Sequence, residues 1–68
     1  MADFWVSAYK KTEEGALKLY DELKEKYPNR PWEVWEIQED KYGNRFVLIC
    51  RERFRGRSPK LTFKKRIR

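Results

Sequence analysis

RFVLICRERFR, residues 45–55, is the stretch on which the fold turns. Its first half, Phe46 to Cys50, is apolar at five successive positions, so both faces of that segment need cover. A short apolar run bounded by turn residues reads as a central strand of a sheet. Its second half alternates: Arg51, Arg53 and Arg55 share one face, and Glu52 and Phe54 the other. A central strand needs a neighbour along each edge and a layer above it, and the flanking sequence supplies candidates for each.

Upstream, Asp40 to Asn44 contain Gly43-Asn44 and form a hairpin loop. Before it, WEVWEIQE at 32–39 is rich in Trp, Val and Ile and predicts a second strand. Further back, Ala16, Leu19, Tyr20, Leu23 and Tyr27 recur at helical spacing and form one stripe. Thr12 precedes Glu13 and Glu14, a start at which a hydroxyl caps a free amide and two acids meet the positive helix end. The helix ends at Tyr27, because Pro28 disfavours helical geometry in the residue before it. Residues 3–10, DFWVSAYK, alternate and predict a strand with Phe4, Val6 and Ala8 on one side and Trp5, Ser7 and Tyr9 on the other. Downstream, Gly56 to Pro59 turn the chain into a fourth strand over 60–67, with Leu61, Phe63 and Ile67 on one side.

The element order is βαβββ. The fold class is α+β: a two-layer sandwich, one helix packed on a four-stranded, mostly antiparallel sheet, forming a single domain over residues 1–68. A right-handed crossover sets the first strand parallel to the second, and the expected strand order is 1-2-3-4. A domain of this size buries only roughly 60% of its unfolded surface, which leaves no room for a deep cleft.

Hairpin closure converts this reading into a surface. Pairing residue 39 with 45 sets Ile37 against Val47, Trp35 against Ile49 and Glu33 against Arg51. Pairing residue 55 with 60 sets Arg53 against Thr62, Arg51 against Lys64 and Ile49 against Arg66. Phe46, Leu48, Cys50, Phe54, Leu61, Phe63 and Ile67 then face the helix, with Glu52 and Lys65 near the ends of that face. The helix-free face carries Trp35, Ile37, Val47 and Ile49, joined by Trp5 and Tyr9, as an open apolar patch amid cations.

Charge points to the partner. The chain has seventeen Lys and Arg, eleven Asp and Glu and a net charge of +6. Residues 51–68 hold nine of the bases against one acid, Glu52, a local charge of +8. Such a surface attracts polyanions. The expected function is a small, basic, non-enzymatic module that binds nucleic acid through the open sheet face with low sequence specificity. Arg51, Arg53, Arg55, Arg57, Lys60, Lys64, Arg66 and Arg68 would contact phosphates, and Trp35 and Trp5 would stack on bases or anchor. The alternative is a protein-interaction module, an inhibitor or adaptor of the compact accessory kind that phages and mobile elements encode, which engages an acidic protein. Either module would pair as a homodimer if two apolar faces met.

Catalysis finds little to build on. The chain has no histidine, and it shows no nucleophile elbow, phosphate-cradling glycine loop or metal-binding cysteine pair. Glu39-Asp40-Lys41 at the hairpin mouth and the other acids of the second strand read as partners for neighbouring cations. No cofactor or metal is expected. Cys50 is the single cysteine and reads as a small buried apolar residue; the absence of a disulfide, a membrane-length apolar run and a signal-like start places the protein in the cytoplasm.

Overall fold

In the computed structural model, residues 3–54 and 57–68 are described. Five elements follow in order: β1 (Trp5–Lys10), α1 (Glu13–Lys26), β2 (Trp32–Ile37), β3 (Phe46–Cys50) and β4 (Phe63–Arg66). The fold is α+β, with one helix packed on a four-stranded antiparallel sheet.

Local chemistry sets the helix ends where the sequence places them. Thr12 is extended, and its hydroxyl accepts the Gly15 N–H at 3.1 Å. Tyr27 leaves helical geometry and still donates its N–H to the Leu23 carbonyl at 2.7 Å. Lys24 and Lys26 occupy the last turn, where cations meet the negative end of the helix dipole. The apolar stripe of α1 buries Ala16 and packs Leu17, Leu19, Tyr20 and Leu23 against Val34, Phe46 and Leu48.

Strand order is β1-β3-β2-β4, which corrects the expected 1-2-3-4. β1 and β2 do run the same way, as expected, but β3 lies between them and pairs antiparallel with both. The strand that is apolar on both faces thus has both edges paired, and every residue from Phe46 to Cys50 is buried. With β3 saturated, β4 cannot form a hairpin with it and takes the free edge of β2. The expected pairs of Ile49, Arg51 and Arg53 with Arg66, Lys64 and Thr62 do not form.

To reach that edge the chain must cross the sheet, and it crosses the side opposite the helix. Arg57 bridges the outer edge of β1, accepting the Val6 N–H at 2.8 Å, and the Thr62 carbonyl accepts the Gln38 N–H beside β2 at 3.1 Å. Between these points Leu61 packs onto Val6, Ile37, Val47 and Ile49, together with Phe4, Trp35 and Phe63. Val47 and Ile49 are 0% exposed. The face expected to be open is therefore a second core, and residues 57–62 form a third layer over it.

Registers account for the remaining differences. β2 and β3 pair Trp35 with Val47 and Glu33 with Ile49, two residues away from the expected alignment. A two-residue slip keeps every side chain on its face, so the sorting of β2 and β3 survives. In β1 a bulge between Val6 and Ala8 breaks the alternation. Val6 consequently lies opposite Ile49 on the far side, Ala8 opposite Leu48 under the helix, and Trp5 opposite Cys50. In β4, which shifts register beside Ile37, Phe63 joins the far core while Ile67 joins the helix side. Leu61, Phe63 and Ile67 were expected on one face, and the crossing divides them. Glu52 and Lys65, expected near the ends of the helix-facing side, are exposed, and Lys65 lies opposite Glu36 on the helix side of β2 as expected.

The β2–β3 loop carries a pH dependence. Gly43 adopts φ +83°, a left-handed conformation that suits glycine. Asp40 Oδ1 accepts the N–H groups of Tyr42 and Asn44, each at 2.9 Å, and Oδ2 accepts the Asn44 side-chain amide at 3.0 Å. Desolvation raises the Asp40 carboxyl pKa, and these hydrogen bonds outweigh it, leaving the pKa below its ordinary value. A depressed folded-state pKa stabilises above the unfolded pKa and loses that stabilisation as pH falls through the folded one. Urea midpoints of wild type and Asp40→Ala should therefore differ at neutral pH and begin to converge only as pH falls below about 4. A gap that persists unchanged in acid would locate the stabilisation elsewhere than the carboxylate.

Candidate functional site

Hydrogen bonding along the far side of β2 assembles the polar centre of the molecule. Glu33, on the same face of β2 as Trp35 and Ile37, is 9% exposed. Its Oε1 accepts the Trp35 Nε1–H at 2.8 Å and the Arg51 Nε–H at 3.0 Å, and its Oε2 lies 3.8 Å from Arg66 Nη2. Arg51 extends from the end of β3, and Arg66 sits opposite Trp35 on β4. Arg66 also donates from Nε to the Arg68 carbonyl at 2.9 Å, while Arg51 Nη1 lies 3.7 Å from Asp3. The contact between Glu33 and Arg51 is the one the sequence predicts, reached here diagonally rather than directly across the ladder.

Four of the sequence-derived residues, Arg51, Arg66, Arg68 and Trp35, gather at this end of the far side. Arg57 and Lys60 are exposed on the crossing segment, and Lys64 is exposed on β4. Arg53 is exposed beyond β3, where its carbonyl accepts Arg30 Nη1 at 2.9 Å, and the Arg30 guanidinium lies 4.8 Å from the Phe54 ring centroid. Arg55 lies outside the described residues.

The tryptophans do not form a stacking platform. The Trp35 ring is half-buried with its centroid 5.0 Å from that of Phe63, and its one donor is taken by Glu33. Trp5 falls on the other side of the sheet from Trp35, because the β1 bulge shifts the alternation. Trp32 is buried at the foot of the helix, among Tyr27 and Phe54, and donates Nε1–H to the Tyr27 carbonyl at 3.1 Å. Stacking of bases on an open sheet face is thus withdrawn. So is face-to-face pairing of two sheets, since the apolar patch it needs is covered within the chain.

What survives is a separation of charge across three layers. Helix α1 carries five acids and three bases. The described residues of 51–68 carry eight bases and one acid. Arg51, Arg66 and Arg68 lie on the side of the sheet that α1 does not cover, Arg57 and Lys60 on the segment that crosses it, and Lys64 and Lys65 along the β4 edge, while Arg53 lies beside Phe54 near the foot of the helix. One contributor escaped sequence reasoning: Glu33 was read as a simple local partner although it bridges two arginines. The clue to Glu33 was an acid alternating with Trp35 and Ile37 on an apolar strand face, where an unpaired carboxylate is costly.

Among the described residues no group of three His, Cys, Asp or Glu side chains is placed to hold a metal ion, and no helix is long and apolar enough to cross a membrane. The chain matches no protein-family model, and comparison with curated proteins and with solved structures finds no significant match.

Proposed function

We propose that the protein is a non-enzymatic nucleic-acid-binding module that engages the phosphate backbone through the crossing segment and the β4 edge. The observation that carries this reading is the clustering of the cations Arg51, Arg57, Lys60, Lys64, Arg66 and Arg68 on the crossing segment, the β4 edge and the helix-free side of the sheet, away from the more acidic helix. The mechanism is electrostatic: lysines and arginines displace counterions condensed on the polyanion. With no helix entering a groove and no exposed ring platform, binding ranks sequences weakly. Five neutralised phosphates give a log–log salt slope of roughly −4.5 on duplex DNA. Titration of labelled DNA and RNA at two salt concentrations measures that slope. Absence of micromolar binding even at low salt ends the reading.

One observation favours a second reading, an acidic protein partner. The outer edge of β4 pairs with no strand among the described residues, and Lys64, Lys65 and Arg66 line it. An extended acidic segment could add to that edge. Lysine on a short edge strand also deters unwanted pairing, which weighs against it. Polyglutamate in the same titration discriminates: affinity equal to that for an oligonucleotide points to the protein partner.

A further inference from the structure

We propose that Arg51 and Arg66 form a preorganised phosphodiester-binding fork and that Glu33 is its positioning residue; this rests on the nucleic-acid reading above. One carboxylate meets both guanidinium groups, through Oε1 at 3.0 Å and Oε2 at 3.8 Å. Each arginine has a further anchor: Asp3 lies 3.7 Å from Arg51, and the Arg68 carbonyl accepts from Arg66 at 2.9 Å. Trp35 holds the carboxylate itself through its indole N–H. The Arg51 Nη2 and Arg66 Nη1 groups have no acceptor among the described residues. The arginine side chains are 33% and 56% exposed, whereas that of Glu33 is 12% exposed. Solvent therefore meets the two guanidinium edges with the Glu33 carboxylate set behind them and the exposed Asp3 carboxylate beside Arg51. Planar forks held this way present N–H pairs to phosphate oxygens with little rotamer entropy left to lose.

This arrangement makes a prediction opposite in sign to simple electrostatics. Removing an acid from a polyanion-binding protein raises its net charge and should tighten binding. Glu52 provides the comparison, as an exposed acid without an ion pair among the described residues. Glu52→Gln should strengthen binding of a fluorescein-labelled oligothymidylate about twofold, the direction expected from one added positive charge. Glu33→Gln adds the same charge and should weaken binding about five- to tenfold, because the fork loses its orientation. Exchange of the Arg51 Nε–H with water, followed by NMR, should quicken in Glu33→Gln and not in Glu52→Gln.

If Glu33→Gln lowers the melting temperature below the assay range, Arg51→Lys with Arg66→Lys retains the charge and removes the planar forks. That variant should lose about tenfold in affinity. Equal tightening by the two glutamine variants, or unchanged affinity of the double lysine variant, overturns the fork while leaving the electrostatic reading intact. Failure of the wild type to bind at low salt overturns both.

Discussion

Ile49→Lys is expected to unfold the domain. On the sheet face as read from sequence, Ile49 would be an exposed apolar residue and lysine there would be tolerated. In the structure Ile49 is 0% exposed, with Val6, Ile37 and Val47 around it and Leu61 and Phe63 packed over that cluster. Lysine at this position loses the burial of the isoleucine side chain, worth about 2–5 kcal/mol, and forces an ammonium into an apolar layer with no partner at hand. At roughly 0.05–0.15 kcal/mol per residue, a domain of this length has about 3–10 kcal/mol of total stability. The substitution should therefore remove the cooperative thermal transition seen by circular dichroism. Ile49→Val should cost only about 0.5–1.5 kcal/mol, and Tyr42→Lys, at a residue 66% exposed, less than about 0.5 kcal/mol. A folded Ile49→Lys protein with a near-native melting temperature would show that residues 57–62 do not cover the sheet.

Replacing Arg57, Lys60, Lys64, Lys65 and Arg68 by glutamine should strongly weaken the proposed nucleic-acid binding while leaving the fold intact. All five are exposed, and none forms a side-chain salt bridge among the described residues. With Arg51 and Arg66 retained to meet about two phosphates, the salt slope falls from roughly −4.5 toward about −1.8, and affinity near 0.1 M salt falls by about two to three powers of ten. The comparison that makes this informative is Lys11, Lys18, Lys24, Lys26 and Lys41 to glutamine, which removes the same five charges from exposed positions outside 51–68. That variant should keep most of the slope. Equal losses in the two variants would mean that total charge governs binding and that the layered arrangement is incidental.

Local elements were legible because their signals are local. Thr12, the stripe from Ala16 to Tyr27 and Pro28 define α1 within the chain itself, and its ends fall where those residues put them. The five-residue apolar run identifies β3 as central, since no other position in a small sheet covers both of its faces. The faces of β2 and β3 also emerged correctly despite a two-residue error in register, because side-chain direction has a period of two. The Glu33–Arg51 contact followed from that alternation.

Strand order, the covered face and the composition of the site were not legible for a common reason. Strand order depends on which strands take the two edges of β3, and edge occupancy is a long-range competition that no window of sequence contains. The bulges in β1 and β4 reverse the alternation at single residues, so Trp5 moved away from Trp35 and Phe63 away from Ile67. By itself the chain determined its helix, its central strand and its excess of positive charge at the C-terminal end, all consequences of residue type and spacing. Only the tertiary structure decided that this cationic end crosses the helix-free side, buries Val47 and Ile49 beneath it and draws Arg51 and Arg66 onto one carboxylate. With both edges of β3 taken, β2 offered the edge that β4 pairs with, and crossing the exposed apolar face brought the chain there while removing that face from water.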